Sequence, residues 1–359
     1  MKNSNWIHSF KFDTLWFIFP QLIPALLIFI LPTQFTAQQR TEIFPFSWVL
    51  IVLSVDVAHV YSTVYKTYFK KEAQIEYAFK LKFLPFIVWL IGILIYSLSS
   101  YLFWSCLAYF AVFHFIKQQY GFFRLYSSNN SISKFKTRFL NFTIYAVTVI
   151  PVLIWHCKGQ QNFNWMLAGD FKYINFPSIV PLLQIILLII ILIYIYIETK
   201  EKNRTNNWNF GRIMLTLSTA FAWYSCIVMI NNDFTFSLVN VLGHGIPYLA
   251  LVWITEKKLL NENSTPFYKH IFSKWGLLLF YAIIFAFAYL EEGIWDTLVW
   301  REHSETFGWM YFVKTIDSYQ ILNFIVPLLI MPQVVHYILD GTIWKRKKII
   351  VEQVDTSNN

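Results

Sequence analysis

The sequence predicts an all-α, polytopic integral membrane protein of about ten transmembrane helices, with both termini cytoplasmic. Composition is the first reason. Of 359 residues, 57% are hydrophobic and 14% charged, and the mean hydropathy is +0.47; a soluble domain carries about 25% charged residues. Apolar runs are the second reason. The stretch 179–197 approaches the roughly 20 residues needed to cross a bilayer. The third is the placement of Lys and Arg, which follows from the order of the helices.

Ten helices are expected near 14–31, 43–62, 82–98, 101–120, 138–156, 178–197, 212–230, 235–254, 275–292 and 319–339. The first contains Pro20 and Pro24 and lacks a small-residue cleavage site, so it reads as a membrane helix and not a cleaved signal peptide. The third and fourth are joined by the short polar turn Ser97-Leu98-Ser99-Ser100, and polar or charged loops separate the others. The longest loop, 293–318, is too short for a soluble domain. Residues 1–344 therefore read as one transmembrane domain and 345–359 as a basic tail that opens with Lys345-Arg346-Lys347-Lys348. With the N-terminus inside, the inner segments hold 24 of the 29 Lys and Arg and the outer loops 5, as the positive-inside rule requires. The expected location is a bacterial inner (plasma) membrane. The net charge of +9 belongs to this orientation signal and gives no reason to expect a nucleic-acid partner. The three cysteines, Cys106, Cys157 and Cys226, form no CxxC pair and read as small packing residues.

Four histidines fall inside apolar segments: His59, His114, His244 and His336. An ionisable side chain at membrane depth is costly and marks a functional site by default. The four lie on the second, fourth, eighth and tenth helices, which run in the same direction. His59, His114 and His336 fall in the cytoplasmic half and His244 nearer the middle, so small shifts in depth would bring them level. They read as ligands of one intramembrane metal site. Asp56 shares a helical face with His59, three residues on, and Asp340 shares one with His336, four residues back. Metal-ligating histidines usually give their second ring nitrogen to a carboxylate or carbonyl, so Asp56, Asp340 and Gln118, one turn beyond His114, are the expected supports. Gly243 and Gly245 flank His244 and would admit a close neighbour. Tyr120, Tyr248 and Tyr337 are candidates for a substrate pocket. An all-imidazole shell suits iron, zinc or copper. For chemistry on a lipophilic molecule in a bilayer, Fe(II) with dioxygen is the expected pair. His8, His270 and His303 lie in polar segments and read as solvated, and His156 as interfacial.

These segments resemble the bacteriorhodopsin-related family of membrane β-carotene 15,15'-dioxygenases. The residues that carry the likeness are Asp56 with His59, then His114-Phe115, then His244, then Pro332 with His336 and Asp340. The resemblance implies non-haem iron held by histidines and oxidative attack on an isoprenoid double bond. The chain departs from the family pattern in several places. It lacks the Pro-His-Gly block, Asp56 precedes its histidine, Tyr248 stands where the family has a second histidine, and His336 does not directly follow its proline. A distant relative with an altered substrate, carotenoid, other isoprenoid or lipid, is the implication.

Other classes fit less well. Membrane desaturases and hydroxylases resemble one another through HxxxH and HxxHH clusters, and this chain has neither. A lipid-linked glycosyltransferase would want acidic residues in the first outer loop, where only Glu42 stands. A membrane O-acyltransferase would pair an intramembrane histidine with a nearby asparagine, for which Asn231, Asn232 and Asn240 are available. A proton-coupled transporter could use the same His and Asp residues as a relay on proline-interrupted helices.

Overall fold

The computed structural model describes residues 5–31, 45–127, 133–161, 164–230, 232–262 and 264–344. The described residues form helices and connections, with no strand among them. We label the ten long helices α1 (10–27), α2 (Phe46–Lys66), α3 (Ala78–Leu98), α4 (Ser100–Tyr126), α5 (Lys134–Cys157), α6 (Pro177–Thr205), α7 (Phe210–Met229), α8 (Asp233–Lys258), α9 (Leu277–Trp300) and α10 (Tyr319–Ile343). Eight of them are long and apolar enough to cross a membrane; α1 and α4 are the two outside that group. The basic tail 345–359 and Glu42 lie outside the described residues.

Helix ends follow from local chemistry. The Ser97–Ser100 turn is a single extended residue, Ser99, whose hydroxyl accepts from the Leu102 amide at 3.2 Å and caps α4. Asn209 caps α7 through the Arg212 amide, and Asn232 caps α8 through the Thr235 amide, each at 3.1 Å. Asn206 and Arg301 adopt the left-handed conformation where α6 and α9 stop. Several ends correct the sequence reading: α2 runs to Lys66, α4 to Tyr126, α6 to Thr205 and α9 to Trp300, and much of the expected loop 293–318 is helical.

Several helices contain wider, π-helical turns. Residues Val49–Val57 of α2 and Ser237–Val241 of α8 adopt this form, each just before a histidine of interest. Such bulges recur at functional sites. Helix α10 is broken at Ile330, between the segments Tyr319–Leu329 and Met331–Ile343; Pro332 there has no N–H to continue the ladder.

Burial separates the helices into periphery and centre. Only 17% of the most apolar window of α6 is buried, against 67% for α7. On α6 the outward row includes Leu182, Ile185, Leu188 and Leu192, an apolar face suited to acyl chains. Helix α8 packs against α1, α2 and α7, while α2 also packs against α9 and α10. The largest apolar cluster joins α1, α4, α5, α6, α7 and α8, and the next joins α2, α8 and α9. Helix α8 is thus the shared wall, and His244 stands on it.

Candidate metal centre

The glycines beside His244 set the approach of three helices. A Cβ on Gly243 would lie 2.6 Å from Gln21 Cβ of α1, and one on Gly245 would lie 2.5 Å from Val55 Cγ1 of α2. Both contacts are too close for any side chain but hydrogen, so the glycines let α1 and α2 press against α8. His244 consequently reaches His59 on α2, with the two Nε2 atoms 2.9 Å apart.

His114 from α4 and His336 from α10 complete the group. The four imidazoles form a cycle, His59–His244–His114–His336, with ring centroids 4.5 to 5.0 Å apart and planes steeply inclined. One ring nitrogen from each lies within 4.8 Å of one from every other. Exposures are 1% for His59, 4% for His114 and 2% for His244 and His336.

The hydrogen bonds indicate which nitrogens are held and which are left over. His59 Nδ1 meets the Val55 carbonyl at 3.2 Å, which can only accept, so this nitrogen carries the proton and Nε2 keeps its lone pair. His336 Nδ1 meets Thr63 Oγ1 at 2.6 Å. His114 Nε2, His336 Nε2 and His244 Nδ1 are buried without a partner, an expensive condition in a dry interior. A cation beside the His59–His244 contact would satisfy two of the three, His114 Nε2 and His336 Nε2. Two ligands bound at about 2.1 Å and at right angles sit about 3.0 Å apart, which fits the spacing of the His59 and His244 nitrogens. Four neutral nitrogen donors suit a transition metal and not calcium or magnesium. The residues present therefore fit a bound transition-metal ion.

The surroundings hold these rings in place. Phe115 stacks on His244 at 3.9 Å, and Tyr337 on His114 at 4.3 Å. Asp56 Oδ1 lies 3.8 Å from His59 Nδ1. Asp340 lies 3.7 Å from His114 Nε2 and 3.8 Å from His336 Nδ1, and it accepts a hydrogen bond from Tyr248 Oη. Thr63 joins Tyr248 Oη to His336. The sequence reading missed Thr63, because the second helix was expected to end at 62.

Other candidates sit elsewhere. Gln118 does not support the His114 ring; its Nε2 donates to the His244 carbonyl at 3.1 Å, crossing from α4 to α8. Tyr120 stacks on Tyr145 of α5, with the Lys117 ammonium 5.1 Å from its ring. It stands six residues past His114, which turns it about 240° to another face of the helix. Tyr248 and Tyr337 pack against the imidazoles and are not among the residues that line the large cavity. His303 is not free in solvent: it stacks on Trp48 at 3.7 Å. His156 is buried, its Nε2 at 2.9 Å from Tyr109 Oη and its Nδ1 at 2.8 Å from the Val152 carbonyl. Asn232 is a helix cap and Asn240 donates to Cys226 Sγ, while Asn231 lies outside the described residues.

A cavity of about 880 Å³ adjoins the centre. Its walls combine Val52, Val57, Val60, Trp104, Phe236 and Ile330 with the carboxylates of Asp56, Asp233, Glu291, Glu292, Asp296 and Glu302. Asp56 stands one turn before His59 and Gln333 one turn before His336, so the cavity touches two of the four helices one turn from their imidazoles, which do not themselves line it.

No family model matches this chain, and neither a curated protein nor a solved structure matches it. The likeness to membrane β-carotene dioxygenases therefore rests on the motif residues alone.

Proposed function

We propose that this chain is a membrane-embedded, metal-dependent oxygenase that acts on a lipophilic substrate, carotenoid, other isoprenoid or lipid, at an iron held by His59, His114, His244 and His336. The observation that carries the reading is the convergence of four buried imidazoles from α2, α4, α8 and α10. Bound Fe(II) would supply dioxygen activation, as Lewis acid and template; zinc or copper also suits the donor set. In this proposal α1 and α4 complete ten spans, and the Lys and Arg distribution supports both termini being cytoplasmic.

The protein's own groups have definable tasks. The Val55 carbonyl and Thr63 hydroxyl fix the tautomer and tilt of His59 and His336. Phe115 and Tyr337 keep two further rings from rotating. Four neutral ligands leave a divalent ion uncompensated, so Asp56 and Asp340, each within 4 Å of a ring, provide the opposing charge. Apolar walls at Val57, Val60 and Ile330 give a hydrocarbon chain a place beside the centre.

A transporter using the same His and Asp residues is the second reading, favoured by the carboxylates in the cavity wall. One measurement separates the two. Purified wild-type protein is expected to retain about one iron per chain and to consume dioxygen when given its substrate, and each single His→Ala change is expected to lose the iron. Metal-free wild type with ion flux in vesicles would overturn the oxygenase.

A further inference from the structure

The cavity is more acidic than a hydrocarbon site requires. Six carboxylates line it and no lysine or arginine does, among the described residues. Glu292 has Glu291, Asp56 and Asp296 as its charged neighbours, all of one sign. Asp296 is engaged by the amides of Glu302 and His303, and Asp233 by the Asn164 amide, while Asp56 lies 3.8 Å from the His59 ring and Glu291 and Glu292 adjoin it along the wall. Carboxylates crowded in a poorly solvated wall cannot all ionise without a counter-ion, and a cation supplies one.

The cavity also has a direction. At one end it is lined by the connection 164–168, by the end of α9 at Asp296 and Trp300, and by Glu302 and His303 beyond it, the end of the bundle opposite Lys66 and Trp344. Its lining reaches Asp56, 3.8 Å from the His59 ring, and that ring in turn meets His244 and His336 edge to face. The opposite side of the centre is closed. There Asp340, Tyr248 and Thr63 are hydrogen-bonded together, Lys66 and Lys70 are paired with Glu256, each at 2.7 Å, and Lys66 covers the Trp344 ring. The carboxylate on that face, Glu256, is thus already taken by two ammonium groups and has no place for an incoming cation.

We propose that the acidic cavity is the loading route of the metal: a divalent transition-metal ion enters between the 164–168 and 296–303 segments, is held transiently by Glu292, Glu291 and Asp56, and passes to the four imidazoles. Carboxylate oxygens bind such ions loosely and imidazole nitrogens bind them more tightly, so affinity rises along the path. This inference rests on the four-histidine reading above.

The test uses full-length protein freed of metal by a chelator, with Co(II) as the probe and its visible absorption as the clock. Charged funnels raise on-rates by about 10–10³-fold. The Glu291→Gln/Glu292→Gln double variant is expected to load at least about tenfold more slowly than wild type and to reach the same final Co(II) content. Wild-type loading should also slow as salt is raised, which needs no variant to fold. A double variant that loads at the wild-type rate, or a wild-type rate indifferent to salt, overturns the route and leaves the four-histidine centre standing. Wild type that takes up no Co(II) removes the centre itself.

Discussion

Arg212 on α7 and the four imidazoles are buried to the same degree, with Arg212 1% exposed and the histidines 1–4%, yet their surroundings differ. Arg212 is gripped by Glu198 of α6 through two contacts, Nε to Oε1 at 2.7 Å and Nη2 to Oε2 at 2.8 Å, and one guanidinium nitrogen is left over. Around the histidines the balance is reversed: three of the four rings keep a buried nitrogen with no hydrogen-bond partner, and one of the short polar contacts joins two rings to each other. The first arrangement spends its polarity on joining two helices. The second keeps lone pairs available for something not made of protein. Burial alone does not distinguish a strut from a site; the state of the leftover atoms does.

The contrast can be broken at either end. His244→Ala should abolish metal retention, measured as metal per chain, while the metal-free protein loses less stability than a stranded charge costs, since the lost ring packing is offset in part by deletion of an unsatisfied nitrogen. A large loss of metal-free stability would make His244 a strut like Arg212. Glu198→Ala should do the opposite. It strands a buried guanidinium, at a cost of about 3–5 kcal/mol in denaturant unfolding, and the surviving folded fraction should still hold metal. Asp340→Asn keeps the shape but removes a charge near two rings, and is expected to weaken metal affinity by about 10–100-fold in a competition titration. Thr63→Val leaves one ring nitrogen of His336 unheld and should have a smaller effect, up to about tenfold; an effect as large as that of a lost histidine would mean that Thr63 itself faces the ion.

The histidines were legible in the sequence because an imidazole in an apolar run has no ordinary reason to be there. Their meeting at one level was only an expectation, because it depends on features that leave little trace in composition: the wide turns of α2 and α8, the break at Ile330 and the close approach at Gly243 and Gly245. Gly243-His244-Gly245 did carry a readable hint of close packing. Glu291 and Glu292 were overlooked because they stand at the expected end of the ninth helix, where carboxylates usually reach water. The helix continues to Trp300 and takes them into the cavity wall. Thr63 was hidden for a similar reason, since a threonine at a helix end normally bonds its own backbone. Gln118 was assigned to the nearest histidine in the chain, whereas its amide crosses to the next helix in space.

The wide turns ahead of His59 and His244 have one more consequence. Each places about one more residue in a turn than an ordinary helix does, which sets the angle at which everything downstream emerges. Deleting a single residue from Val49–Val57 would either close the wide turn and draw Val55 and Asp56 out of place, or swing His59 by up to about 100°, out of the ring and toward a neighbouring helix or lipid. The same stretch can exchange one aliphatic side chain for another at small cost. The assembly should therefore tolerate many changes of letter and almost no change of length, so that the number of residues before each histidine matters more than their identity.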